Sequence, residues 1–306
     1  EDGIRDSVAS RGLGDVYKRQ ILMNITHYPP VDKEISSYIN SLLKTTSLEE
    51  IENFDYEVFE NSYRKWIEQS SKHTINLNGF QHSTFIFGTA AGIDSFIMRH
   101  HNKRIRASND DFILTKILCK NNNINFLPLE SDNLEPNDAI IISHPFSGNG
   151  SVMPNFIDTL EQAENNKIPV LLDCAYFGIS SGLTYPTQYN CISDMLFSSS
   201  KNFGTTHLRL GIRFTRKQID DGLSFGHIAA GIYNKQGACI TAKILQKFSH
   251  DWFINKWLPI SAEVSRELNL IDTHCITLKS SKKPMPEFTR GSYIRICISD
   301  DLTARN

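Results

Sequence analysis

Lys201 follows directly on an apolar run and three serines, in Phe197-Ser198-Ser199-Ser200-Lys201-Asn202-Phe203-Gly204, and Arg209 stands eight residues further on. An amine and a guanidinium delivered by one loop at the end of a buried strand can form a single pocket for an anion, although a loop lysine taken alone is more often simply solvated. Asp173 shifts that balance. It ends the run Ile168-Pro169-Val170-Leu171-Leu172, where a carboxylate must be solvated, cap a helix or face a buried cation. Twenty-eight residues separate Asp173 from Lys201, room for one helix and one further strand. The two should therefore end neighbouring strands on the same edge of a sheet. Arg295 lies within another apolar run, 293–298, where an unpaired guanidinium would be costly. It asks for an anion, supplied by a ligand or by an interdomain salt bridge.

Positioning these groups requires a sheet, and the chain has the pattern for one. Short apolar runs at 84–87, 124–129, 139–142, 169–172 and 195–197 alternate with helical periodicity through Ile93, Phe96 and Ile97 and through Phe156, Ile157 and Leu160. Such alternation predicts an α/β fold, a mostly parallel central sheet with helices on both faces, whose chemistry gathers at the carboxyl edge of the strands. Pro29-Pro30 breaks the first stretch, so 21–71 reads as an N-terminal arm and helices, and 72–214 as the large domain. An amphipathic segment from Ile240 to Leu258 reads as one helix leading a smaller C-terminal α/β domain over 215–306, which ends in the strand-like run 293–298. Residues 1–20 carry little apolar periodicity, and Asp15–Gln20 resemble a translated sequencing adapter. They are set aside as a non-native or disordered leader.

Five segments in the same order resemble the fold-type-I pyridoxal 5′-phosphate enzymes, within them the class I/II aminotransferases of the histidinol-phosphate type. They are F-G-T-A-A-G-I at Phe87–Ile93, H-P-F-S-G-N-G at His144–Gly150, D-x-A-Y at Asp173–Tyr176, S-x-S-K-x-F-G-x-x-x-L-R-x-G at Ser198–Gly211, and Y-I-R-I-C-I-S at Tyr293–Ser299. The resemblance implies that Lys201 holds the cofactor as a Schiff base and then shuttles a proton. It implies that Asp173 pairs with the protonated pyridine nitrogen, keeping the ring an electron sink, and that Tyr176 donates to the ring oxygen. The amides of Thr89 and Ala90, the hydroxyls of Ser198 and Ser200, and Arg209 would hold the phosphate. Arg295 would grip the substrate α-carboxylate. Tyr56 matches the tyrosine that the family sends to the phosphate of a neighbouring subunit, so a homodimer sharing its active sites is expected.

The pattern departs from the family in three places. Ser147 stands where an asparagine usually meets the ring oxygen, with Asn149 two positions later as a fallback. Phe112 is the candidate for stacking on the ring. Only eleven residues follow Arg295, as in a minimal or truncated small domain. With 34 acidic against 32 basic residues and no apolar run of bilayer length, nucleic acid and membrane are not expected partners. Six scattered cysteines indicate reduced thiols in the cytoplasm rather than a disulfide framework or a metal centre. The expected activity is therefore transfer of an amino group from an amino acid to a 2-oxo acid. The alternatives are a lyase or decarboxylase on the same scaffold, or a non-catalytic relative.

Overall fold

Runs rich in Ile, Leu and Val fold as strands because their branched side chains pack well on a pleated surface. In the computed structural model, which describes residues 29–306, seven such runs form one sheet. They are β1 (His82–Ile86), β2 (Arg104–Ala107), β3 (Phe126–Pro128), β4 (Asp138–Ser143), β5 (Val170–Cys174), β6 (Ile192–Phe197) and β7 (Gly211–Thr215), in the spatial order β1-β7-β6-β5-β4-β2-β3. The central pairs are parallel and β7 runs against its neighbours β6 and β1. All of β4 and β5 is buried, as a sheet covered on both faces requires. The expectation for residues 1–20 lies outside the described residues, as does the start of the arm.

Successive strand residues point to opposite faces, and the two faces feed two apolar clusters. Ile141, Leu171 and Leu196 join Ile93, Phe96 and Ile97 of the helix Thr89–Arg99 (α4). Ile140, Ile142, Leu172, Met195 and Phe197 face the larger cluster, which is continuous across the segments expected as arm, large domain and small domain. It takes in Ile35 and Ile39 of α1 (Lys33–Thr45) and Phe59 and Tyr63 of α3 (Tyr56–Glu68), the short helix α2 (Leu48–Glu52) lying between these in sequence. On the distant side it takes in Trp257, Ile276, Ile298 and Leu302. Full burial of each such side chain contributes about 1.5–3 kcal/mol.

Two expectations change. The segment 240–258 is not one helix but parts of two, Lys235–Lys247 and His250–Glu267. Phe248 leaves the helical conformation (φ −112°, ψ 99°), and Ser249 caps the next helix by accepting from the Trp252 amide at 3.0 Å. The break frees the Phe248 carbonyl for Trp66 Nε1, 3.2 Å away. The run 293–298 is likewise divided. Tyr293–Ile294 closes a hairpin with Thr289–Arg290, whereas Ile296–Cys297 joins a three-stranded sheet with Leu278–Ser280 and Ile271–Asp272. Arg295 sits at the junction, and a helix Ser299–Ala304 follows. The six cysteines are free, five of them buried. Among the described residues no helix is long and apolar enough to cross a membrane.

Candidate active site

Adjacent parallel strands bring the amine and the carboxylate to one edge. In the β5/β6 register Asp173 lies beside Leu196 and Cys174 beside Phe197, after which the chain turns through Ser198–Lys201. Ser198 Oγ donates to the Leu210 carbonyl at 3.0 Å and accepts from the Ser200 amide at 3.2 Å, which folds the serine turn back on the strand. Lys201 Nζ lies 5.9 Å from the centre of the Tyr176 ring. The Asp173 carboxylate is 5% exposed and accepts the Ala175 amide at 3.1 Å. Burial pushes its pKa up to about 7, and the nearby Asp111 charge adds to this. The Ala175 amide, the Thr89 side chain and the Lys201 charge act the other way. Burial and the Arg295 charge together draw the Lys201 amine below its ordinary pKa, opposed by Asp173 and Cys297. Each of the two groups feels the other's charge.

The pairing of β1 with β7 brings the start of α4 and Arg209 together. Ile86 is opposite Gly211 in antiparallel register, so the two residues beyond each, Gly88 and Arg209, also meet. Gly88 caps α4 with φ +80° and gives it no side-chain cap, leaving the amides at the start of α4, including those of Thr89 and Ala90, to a ligand. Arg209 adopts a left-handed conformation (φ 51°) and donates to the Phe87 carbonyl at 3.1 Å. Its guanidinium is so close that a Cβ on Gly88 would come within 3.1 Å of Nη2. Ser198 and Ser200, joined by a 2.8 Å hydroxyl contact, are reached by the same strand.

On the other side Arg295 is 3% exposed. Nη1 donates to the Ser147 carbonyl at 2.8 Å and Nη2 to the Tyr176 hydroxyl at 3.4 Å, while Nε has no partner. The Ser147 amide donates to Ser143 Oγ at 2.7 Å, so the main chain of Ser147 is committed to holding Arg295. Asn149 uses its oxygen on the Ser151 amide at 2.9 Å. Phe112 is 38% exposed and follows Asp111, whose Oδ1 receives its amide at 2.7 Å. Tyr56 packs against β1. Its hydroxyl is 2.9 Å from Ser83 Oγ, towards the far end of β1, and its ring packs 3.9 Å from that of His227.

Two residues not foreseen belong to the site. Asp111 is buried, with its pKa raised by that burial, and it accepts both the Ser143 amide and the Ser143 hydroxyl. It follows strand β2 at the same carboxyl edge, the placement that marked Asp173. Arg290 donates to the Asp111 carbonyl at 3.4 Å, and its charge acts on Tyr176. Nothing in the polar stretch Thr289-Arg290-Gly291-Ser292 distinguishes it from a solvated turn.

No family model matches the chain, and no curated protein matches it by sequence. Solved structures do. The histidinol-phosphate aminotransferase of Clostridium acetobutylicum is 14% identical, with a TM-score of 0.59 over 85% of this chain and 82% of its own. The N-succinyldiaminopimelate aminotransferase of Mycobacterium tuberculosis is 10% identical, with a TM-score of 0.65 over 95% and 94%. A pyridoxal-phosphate-bound C-S lyase of Staphylococcus hominis is 13% identical, with a TM-score of 0.61 over 90% and 83%. What these enzymes share with the chain is the path of the backbone, and that path is the fold-type-I architecture.

Proposed function

We propose that the chain is a pyridoxal 5′-phosphate-dependent aminotransferase that passes an amino group from an amino acid to a 2-oxo acid. The residues suit the cofactor. Asp173 is a carboxylate whose charge burial penalises and which calls for a cation such as a protonated pyridine nitrogen. The start of α4, Ser198, Ser200 and Arg209 suit a phosphate. Lys201 supplies the amine for covalent attachment. When bound, the cofactor would supply a ring that accepts the electron pair left on the substrate Cα.

The chain's own groups then divide the work. Lys201 Nζ, its proton affinity lowered, would take the Cα proton and pass it to the cofactor carbon that keeps the amino group. Arg295 offers its unused Nε together with its Nη donors to the α-carboxylate, and this tether favours loss of the proton over loss of carbon dioxide. Tyr176, with Lys201 near its ring and Arg295 on its hydroxyl, orders the space between base and clamp. Ser147 has only its hydroxyl left for the ring oxygen, and Phe112 is the available stacking aromatic.

The observation that carries this reading is the geometry of three charged groups: adjacent parallel strands β5 and β6 lead to Asp173 and to the Ser198–Lys201 turn, and Lys201 Nζ and Arg295 both lie against Tyr176. Protein given pyridoxal phosphate should show a visible absorbance band that is missing in Lys201→Ala. A donor amino acid should bleach the band and a 2-oxo acid restore it. The likeness to a C-S lyase favours a second reading, a lyase, which release of a thiol and ammonia without reversible bleaching would support. Absence of any band would remove both. Free, mostly buried thiols support a reducing compartment such as the cytoplasm. Phe87, Phe225 and Ile232, apolar and exposed along segments tied to Arg209 and Leu208, support a homodimer.

A further inference from the structure

A second group of reactive side chains lies apart from Lys201. Ser70 follows the end of α3, and His250 and Asp251 open the helix His250–Glu267. Ser70 Oγ is 2.6 Å from His250 Nδ1, and His250 Nε2 is 3.1 Å from the Phe177 carbonyl. A carbonyl can only accept, so Nε2 carries the ring hydrogen and the neutral imidazole turns the lone pair of Nδ1 to the serine hydroxyl. Burial keeps the ring neutral, with its pKa drawn down to about 4. The titratable groups packed on it are His73, whose ring lies 4.9 Å away and is likewise neutral, and Asp251. Asp251 Oδ1 lies 3.1 Å from Ser70 Oγ and 3.7 Å from His250 Nδ1, and it is fixed by the Ser71 amide at 3.0 Å. Its charge favours an imidazolium once one forms.

Ser70, Ser249 and His250 line a cleft of about 470 Å³ together with Trp66, Leu245 and Lys65. None of the residues assigned to the Lys201 site lines it. Ser70 Oγ accepts only the Lys72 amide, at 3.1 Å, which leaves it a lone pair for attack. At the helix start Ser249 takes the Trp252 amide, and the amides of His250 and Asp251 have no acceptor among the described residues. A nucleophile within hydrogen-bond reach of a base, with that base oriented by a third group, is the arrangement that covalent catalysis uses. We propose that Ser70 is the nucleophile of a second reaction, the hydrolysis of small carboxylic esters, with His250 as its base. Ser70 Oγ bonds to the acyl carbon, its proton passes to His250 Nδ1, and the ester C–O bond breaks as the leaving alcohol takes that proton. Water then attacks the acyl group and gives a proton to Nδ1, which returns it to Ser70 as the carboxylic acid departs.

The test uses the full chain loaded with pyridoxal phosphate and two probes, p-nitrophenyl acetate and phenylmethanesulfonyl fluoride. The acetate should be hydrolysed at a rate that Ser70→Ala lowers about 100-fold or more, the loss expected when a positioned base no longer has its nucleophile. Because His250 is already neutral, the rate should be level from about pH 6 to 8, whereas attack by hydroxide or by surface lysines climbs with pH. The sulfonyl fluoride should leave one sulfonyl group on the peptide that contains Ser70, read by mass spectrometry, with fluoride released. Ser70→Ala should keep the absorbance band that Lys201→Ala loses, which separates this reaction from the aminotransferase reading. If Ser70→Ala does not fold, the labelled peptide and the pH profile of the unaltered chain decide. Hydrolysis no faster than in buffer, hydrolysis that survives Ser70→Ala or climbs with pH, or labelling that misses Ser70 overturns the proposal and leaves the serine as a tie between two helices.

Discussion

Asp173 stands where the folded chain opposes its charge. Its pKa rises from 3.8 to about 7 through burial and the neighbouring Asp111, which at about 1.4 kcal/mol per unit amounts to roughly 4 kcal/mol. Because the folded pKa is the higher one, the stabilisation is complete below about pH 4 and is lost as the pH climbs through 7. Cofactor-free protein should therefore lose stability between pH 5 and 8 relative to Asp173→Asn, and pyridoxal phosphate should restore it, since a ring cation facing the carboxylate removes the penalty. Parallel melting profiles of the two cofactor-free proteins would defeat this account. Lys201, Asp173 and Arg295 stood out in the sequence because a charge at the end of an apolar run, or inside one, needs a reason, and Arg209 by its spacing from Lys201. Asp111 and Arg290 did not, because each sits in a polar turn where a charge needs none, and only the folded chain shows that those turns close over the site.

At the scale of elements, the proposed phosphate site depends on where α4 begins. Gly88 has φ +80° and ψ 165°, a region that side chains other than hydrogen occupy at a cost of about 1–3 kcal/mol, and an added Cβ would press on Arg209. Gly88→Ala should lower stability by about that amount. It should also weaken pyridoxal phosphate about 10-fold or more while leaving unphosphorylated pyridoxal nearly unaffected, as measured by fluorescence quenching. Equal losses for both compounds would place the phosphate elsewhere. The strands were readable from their apolar runs and α4 from its period, because both are local. The break at Phe248 was hidden because Ile244, Leu245, Phe248 and Trp252 keep one apolar period across it. Ser249 with Asp251 two residues on is a capping signal that the period outweighed. The division of 293–298 is a tertiary outcome, since a single run there is shared between a hairpin and a separate sheet.

Across the described residues, one core joins α1, the central sheet and the last helix, and buried histidines lie at the join. His73 packs 4.7 Å from the Phe177 ring, 5.4 Å from Tyr185 and 4.9 Å from His250, and His144 lies 4.8 Å from Tyr185. They come from the segment before β1, the end of β4 and the start of the long C-terminal helix. Burial lowers His73 to about 3 and His144 and His250 to about 4, from an ordinary 6.5, with the His250 charge adding to the shift of His73 and the nearby Asp251 opposing that of His250. Here the folded state resists the proton and the unfolded chain accepts it. The stabilisation is therefore complete above about pH 6.5 and falls as the pH drops toward 4, at a limiting slope of about 4 kcal/mol per pH unit for three protons. Asp173 works in the opposite direction, so the total slope is a difference, but proton counting separates the groups. Calorimetric unfolding at pH 5 in buffers of different ionisation enthalpy should show an uptake that falls by about one proton with each of His73→Gln, His144→Gln and His250→Gln, and is unaltered by them at pH 8. If those replacements leave the uptake at pH 5 unchanged, the histidines are already protonated in the folded protein and the core is wetter at this join than its packing implies.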